Sequence, residues 1–176
     1  MSDSVTLVTE DDEVVGPTSK VEAHLLSNLR HKKSPFPPHR AFSLFLFNAK
    51  NELLLQQRSG AKVTFPGLWT NTCCSHPRHE PSELEVDVGR GEYIGIQRAV
   101  SRRTAFELGI NESEMQVAGA ENEREALSGF HVGSRILYYA EDGGKKEVEG
   151  GATGEKPVFA EYELDYIVFA KMEDPQ

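Results

Sequence analysis

The sequence predicts a single domain of the α+β or α/β class. Three observations carry this. Apolar runs of strand length occur at Ala41–Phe47, Ser134–Ala140 and Glu161–Ala170. Ile94–Leu108 has the spacing of a helix, and the two kinds of segment are mixed along the chain without an internal repeat. A length of 176 residues suits one domain with a sizeable core, taken here as 1–176 with 1–19 as an N-terminal segment and 141–157 as a flexible loop.

Taken in order, Val5–Val8 reads as a short strand, and the acidic stretch after it as a turn punctuated by Gly16-Pro17. Val21, Leu25 and Leu29 recur at four-residue steps, which predicts a short helix over Lys20–Leu29. Pro35, Pro37 and Pro38 then forbid regular helix in a basic segment, read as an exposed loop. Ala41–Phe47, the turn Asn48–Asn51 and Glu52–Gln57 read as a buried hairpin. From Arg58 to Pro81 the periodicity dissolves into a long loop that holds the only Trp and both cysteines, and a loop of that length inside a domain is usually functional. On the Ile94–Leu108 helix, Ile96, Ala99, Val100 and Ala105 share a face, and Gly109 supplies the C-terminal cap. Ser134–Ala140 and Glu161–Ala170 are strands, separated by the glycine-rich, charged loop Glu141–Pro157.

Composition limits the partners. With 19 Lys and Arg against 28 Asp and Glu, the net charge is −9. Such a field repels nucleic acid and anionic membrane, so a phosphorylated ligand needs a local basic cluster. No apolar run reaches the length of a bilayer, and the acidic start has no signal-peptide pattern. Cys73 and Cys74 are adjacent and so close no useful loop. Two free thiols of this kind point to a reducing, cytoplasmic location.

The candidate chemistry is a set of spacings. Glu161 and Glu163 are two apart on a strand and so point to one face, where a cation would relieve their repulsion. Cys74 and His76 project together if their segment is extended. None of the six histidines stands in a zinc-type spacing, and each also reads as a surface or capping residue. Lys20, Arg58, Lys62 and Arg103 suit a diphosphate, or are ordinary surface charge. Arg103 and Glu107 form an i,i+4 pair, and Trp69 and Tyr138 read equally as core aromatics.

The segment His39–Pro77, with its strings HRAFS, LLLQQR and TNTCCSHP, closely resembles the type I isopentenyl-diphosphate isomerase family of the Nudix superfamily. The likeness continues at Gly16–His24, Arg102–Ile110, Ser134–Ala140 and Ala160–Ala170. The resemblance implies an α+β fold of the α/β/α Nudix type, with a mixed sheet flanked by helices. It implies a metal-assisted protonation–deprotonation that turns isopentenyl diphosphate into dimethylallyl diphosphate. By motif, His24, His39, His76, Glu161 and Glu163 would hold a divalent metal such as Mg²⁺, Mn²⁺ or Zn²⁺. Glu107 and the Cys74 carbonyl would hold a second, diphosphate-bound Mg²⁺. Cys74 and Glu163 would be the acid–base pair, with Tyr138 bonded near the glutamate. Lys20, Arg58, Lys62 and Arg103 would surround the diphosphate, Trp69 would belong to the active-site region, and His31, His79 and His131 would have no site role. The partner implied is a small prenyl diphosphate as substrate, and the chain is expected to be a monomer.

The same comparison bears on hydrolysis. The Nudix helix of a hydrolase carries paired glutamates, whereas Arg102–Ile110 retains only Glu107, with Arg103 and Phe106 at the companion positions. This favours diphosphate binding without cleavage, and a Nudix diphosphatase stands as the alternative expectation. A third is an impaired metal-binding form, because the family continues past Ala170 with a strand, a helix and a tryptophan, while this C-terminally shortened chain stops at Gln176. The Glu141–Pro157 loop also looks longer than the family's usual connection.

Overall fold

The computed structural model describes residues 4–30, 35–62, 64–111, 114, 121–142 and 158–172. His31 and most of the glycine-rich loop, 143–157, lie outside the described residues. In chain order the elements are β1 (Ser4–Val8), β2 (Val14–Ser19), α1 (Lys20–His24), α2 (Leu26–Leu29) and β3 (His39–Phe47). There follow β4 (Gln56–Gln57), β5 (Trp69–Thr70), β6 (Cys73–Ser75), α3 (Pro81–Leu84) and α4 (Ile94–Leu108). The series closes with α5 (Glu123–Ala126), a 3₁₀ turn, β7 (His131–Glu141) and β8 (Ala160–Lys171).

Strand β3 organises a mixed sheet in the order β2-β1-β3-β8-β7, with β6 also paired to β3. Its partnership with β8 is parallel and runs from His39 opposite Glu163 to Phe47 opposite Lys171. The pleat then sorts side chains by parity. Phe42, Leu44 and Leu46 join Tyr166, Val168 and Ala170 in one buried core with Ile96, Ala99 and Val100 of α4. The larger of these side chains, such as Phe42, Leu44, Leu46 and Ile96, each contribute about 1.5–3 kcal/mol on burial. The opposite parity places His39 and Ser43 beside Glu163 and Asp165 on the other face. A sheet with helices packed against it is the α+β arrangement the sequence predicts.

Helix α4 occupies the predicted range, and Gly109 caps it in the left-handed region at φ 68°. Several other expectations need correction. The Lys20–Leu29 helix is broken at Leu25, whose backbone is extended and bridges Phe159. The Leu26 N–H likewise bonds the Val158 carbonyl at 2.9 Å, so pairing with the approach to β8 replaces a continuous helix. Gly16-Pro17 lies within β2 rather than in a turn. This is an edge strand of the sheet order above, where a missing N–H is tolerated.

Glu52–Gln57 forms the expected hairpin with β3 only at its start. Leu53 bridges Phe47, with the Asn48 N–H donating to the Glu52 carbonyl at 3.1 Å and the Leu54 N–H to the Leu46 carbonyl at 2.9 Å. At the Leu46–Leu54 pair the Thr72 hydroxyl takes the place of the second main-chain bond, accepting from the Leu46 N–H at 2.9 Å and donating to the Leu54 carbonyl at 2.6 Å. Strand β6 takes the adjoining edge of β3, and β4 pairs with β5 instead. The long loop from Arg58 to Pro81 therefore contains two short strands.

Candidate active site

The site grows from the polar face of the sheet. His39 opens β3, opposite Glu163 of β8, which itself lies opposite Tyr138 of β7. His24 is the last residue of α1. A capping box starts that helix, with Ser19 accepting from the Glu22 N–H. The His24 Nδ1 lies 2.6 Å from the Lys20 carbonyl, which fixes the ring with Nε2 toward the site. His76 follows β6 directly.

These four side chains converge. Oε1 of Glu163 lies 2.9 Å from His76 Nε2, 3.2 Å from His39 Nε2 and 3.9 Å from His24 Nε2. One ligand atom from each residue falls within 4.8 Å of all the others. The imidazole rings stand 4.6–5.2 Å apart. Burial pushes His24 down to about 4, and it pushes His76 down to about 3. Both rings are therefore neutral near pH 7, with nitrogen lone pairs available. Burial opposes ionisation of Glu163, but its contacts with His39 and His76 outweigh this and hold it well below the usual carboxylate range. His39 is fully buried, and apart from the 3.2 Å approach of Nε2 to Glu163 its ring nitrogens have no hydrogen-bond partner among the described residues. Buried polar atoms in that state are uncommon. The donor set of three imidazoles and a carboxylate fits a divalent cation.

Glu161 is not part of this cluster. Its Oε1 accepts from Thr64 Oγ1 at 3.0 Å, and its Oε2 lies 2.9 Å from the Tyr138 hydroxyl. The same hydroxyl is 2.7 Å from Glu163 Oε2. One hydroxyl hydrogen serves one of the two. Burial, followed by the charge of Glu163, pushes the Glu161 carboxyl up.

A cavity of about 590 Å³ opens over this face. Cys74, Tyr138, Glu161 and Glu163 line it, together with Lys20, Arg58, Lys62, Arg103 and Trp69. All four basic residues and the tryptophan singled out from the sequence thus meet at one cavity. Trp69 is 68% exposed. Arg58 donates to the Thr64 and Phe65 carbonyls at 2.8–3.2 Å and so shapes the wall. Glu107 does not line the cavity. It pairs with Arg103 and with Lys62, whose Nζ is 3.6 Å away. Burial opposes its ionisation, but Arg103 and Lys62 prevail and lower it.

Register separates the two cysteines. Cys73 lies opposite Leu44, and Cys74 opposite Ser43. Cys73 therefore enters the apolar core, where burial and then Glu107 push its thiol up. Cys74 faces the cavity, and burial raises it as well. Of the remaining histidines, His79 lies 3.2 Å from Thr6 Oγ1, and His131 is exposed at the start of β7.

Sequence reading missed Ser43, Thr64, Asn71 and Asp165, which line the same cavity. Two of them had a signal. Asp165 continues the alternation Glu161, Glu163, and Ser43 is four residues from His39 on one strand. Thr64 and Asn71 had none beyond their place in the long loop.

The sequence pattern described as the NUDIX domain matches residues 37–173. The chain is 39% identical over 171 residues to an isopentenyl-diphosphate delta-isomerase of Gibberella zeae, covering 97% of this chain and 56% of that protein. It is 42% identical over 167 residues to the chloroplastic isopentenyl-diphosphate Delta-isomerase II of Arabidopsis thaliana, covering 95% and 48%. A third relative, isopentenyl-diphosphate Delta-isomerase 1 of Mesocricetus auratus, is 40% identical over 171 residues, covering 97% and 62%. The chain thus spans about half the length of the curated relatives it matches.

Proposed function

Because the chain belongs to the NUDIX domain family, we propose that it turns the cavity's carboxylate and thiol to isomerisation of isopentenyl diphosphate into dimethylallyl diphosphate. The observation that carries this reading is the placement of Cys74 and Glu163. They come from two different strands, β6 and β8, and line one cavity ringed by four basic side chains. The reaction needs one proton added to the terminal alkene carbon and another removed from the carbon next to the diphosphate-bearing group. An alkene is a weak base, so donor and acceptor must be placed on it and water kept away. Cys74 and Glu163 fill these two roles, and Tyr138 fixes the Glu163 carboxylate through Oε2.

His24, His39, His76 and Glu163 would hold a divalent cation, with Glu161 joining through its neighbouring carboxylate. When bound, that cation supplies positive charge that stabilises the Glu163 carboxylate and tunes its basicity. A second ion, Mg²⁺ on the diphosphate, would draw on Glu107 and the Cys74 carbonyl. Lys20, Arg58, Lys62 and Arg103 offset the acidic field of the molecule where the diphosphate enters. The two free thiols, Cys73 and Cys74, support a reducing compartment such as the cytoplasm as the place of action.

The decisive experiment is incubation of the chain with isopentenyl diphosphate and Mg²⁺, with both prenyl diphosphates and free phosphate followed. Dimethylallyl diphosphate is the expected product. Release of phosphate without isomerisation would replace this reading with a diphosphatase.

A further inference from the structure

Among the polar groups around the cavity, Asn71 makes contacts that neither metal binding nor proton transfer uses. Its Nδ2 donates to the Leu44 carbonyl at 2.9 Å and to the Cys73 carbonyl at 3.2 Å. Both partners are carbonyl oxygens, so they settle the orientation of the carboxamide. Oδ1 must then face the other way, where the Cys74 thiol donates to it at 2.7 Å. The Thr70 hydroxyl donates to the same oxygen at 2.8 Å.

The other neighbours of the sulfur have their hydrogens committed. Ser43 Oγ is 3.6 Å from it and donates to Asp165 Oδ2 at 2.8 Å. Thr70 Oγ1 is 3.8 Å from it, with its hydrogen already on Asn71. The sulfur therefore faces acceptors, and the nearest of these is held by two main-chain bonds.

We propose that Asn71 is a positioning residue for Cys74: its pinned carboxamide fixes the sulfur at the cavity wall. This deepens the proposed function, and its turnover arm rests on the reading of Cys74 as catalytic. Without the carboxamide the thiol has no fixed partner at that wall, and its hydrogen is no longer held in one direction.

The test compares wild type, Asn71→Ala and Asn71→Asp in the full chain. Iodoacetamide labelling at neutral pH is read separately at Cys73 and Cys74 by tandem mass spectrometry, alongside steady-state isomerisation of isopentenyl diphosphate. Both variants lose the two Nδ2 bonds, but only alanine loses the acceptor. Cys74 labelling is expected to rise about tenfold in Asn71→Ala, where the released sulfur is free to turn into the cavity and the factor corresponds to one hydrogen bond, and to rise less in Asn71→Asp, which still offers an acceptor oxygen. The alanine variant is also expected to lose about tenfold in kcat with KM within about twofold.

Equal acceleration in both variants, or none in either, overturns the proposal. So does labelling of Cys73 in the alanine variant, because that thiol is buried in the core and its exposure marks a purely structural tether. Failure of the underlying reading looks different. Wild type without isomerisation, or Cys74→Ala with full activity, removes the catalytic role of the thiol, and the labelling comparison still decides what Asn71 does.

Discussion

Glu163 is the residue on which the site turns. One carboxylate oxygen faces three imidazoles and the other takes the Tyr138 hydroxyl. Glu163→Gln keeps the shape but removes the charge, and Cys74→Ala removes the opposing thiol. Each is expected to lower isomerisation by at least about a thousandfold with an unchanged far-ultraviolet circular dichroism spectrum. Activity within tenfold of wild type would take that residue out of the mechanism. A second buried ion pair sits under the other face of the sheet. Arg40 Nε donates to Asp12 Oδ1 at 2.8 Å, and the Tyr166 hydroxyl donates to Oδ2. Breaking it with Asp12→Ala strands a buried guanidinium, and urea unfolding should show a loss of about 3–5 kcal/mol. Glu163 is legible in the amino-acid sequence, through the Glu-x-Glu spacing and the family resemblance. Asp12 is not, because an aspartate in an acidic run looks like surface charge until Arg40 is seen beneath it.

At the scale of elements, parity on β6 and packing of α4 matter most. The sequence shows Cys73 and Cys74 as neighbours, and only pairing with β3 reveals which one meets the core. Cys73→Ala is expected to cost about 1–2 kcal/mol in stability and to leave isomerisation within about twofold, by thermal melting and steady-state assay. Complete inactivation would mean that the wrong thiol is placed in the chemistry. Helix α4 was readable to the residue, since its spacing and glycine cap are local signals. Its contact with α3 was not. A Cβ on Gly95 would lie 2.5 Å from the Glu83 carbonyl oxygen. Gly→Ala inside a helix normally stabilises by up to about 1 kcal/mol. Here Gly95→Ala should destabilise, and a raised melting temperature would show that α3 yields without cost. The early end of the hairpin has the same cause. Alternation in Glu52–Gln57 says nothing about the Thr72 hydroxyl inserted at the Leu46–Leu54 pair.

For the whole molecule, the charge balance and the site pull in opposite directions. A net charge of −9 repels a diphosphate, while four basic side chains gather at one cavity. Among the described residues no helix is long and apolar enough to cross a membrane. The four-residue metal cluster joins α1, β3, the end of β6 and β8, so a bound ion should brace the entire fold. Chelation is expected to lower the melting temperature by about 5–10 °C, the shift that corresponds to an ion at a hundredfold excess over its Kd. Restoration by a divalent ion alone would complete the test, and no change on chelation would argue against a tightly held ion. The parallel pairing of β3 with β8 carries a further consequence for synthesis on the ribosome. Three imidazoles leave the exit tunnel long before the carboxylate that gathers them. A nascent chain therefore carries the nitrogen ligands without their anionic anchor, and tight capture of an ion must wait until translation has passed Glu163.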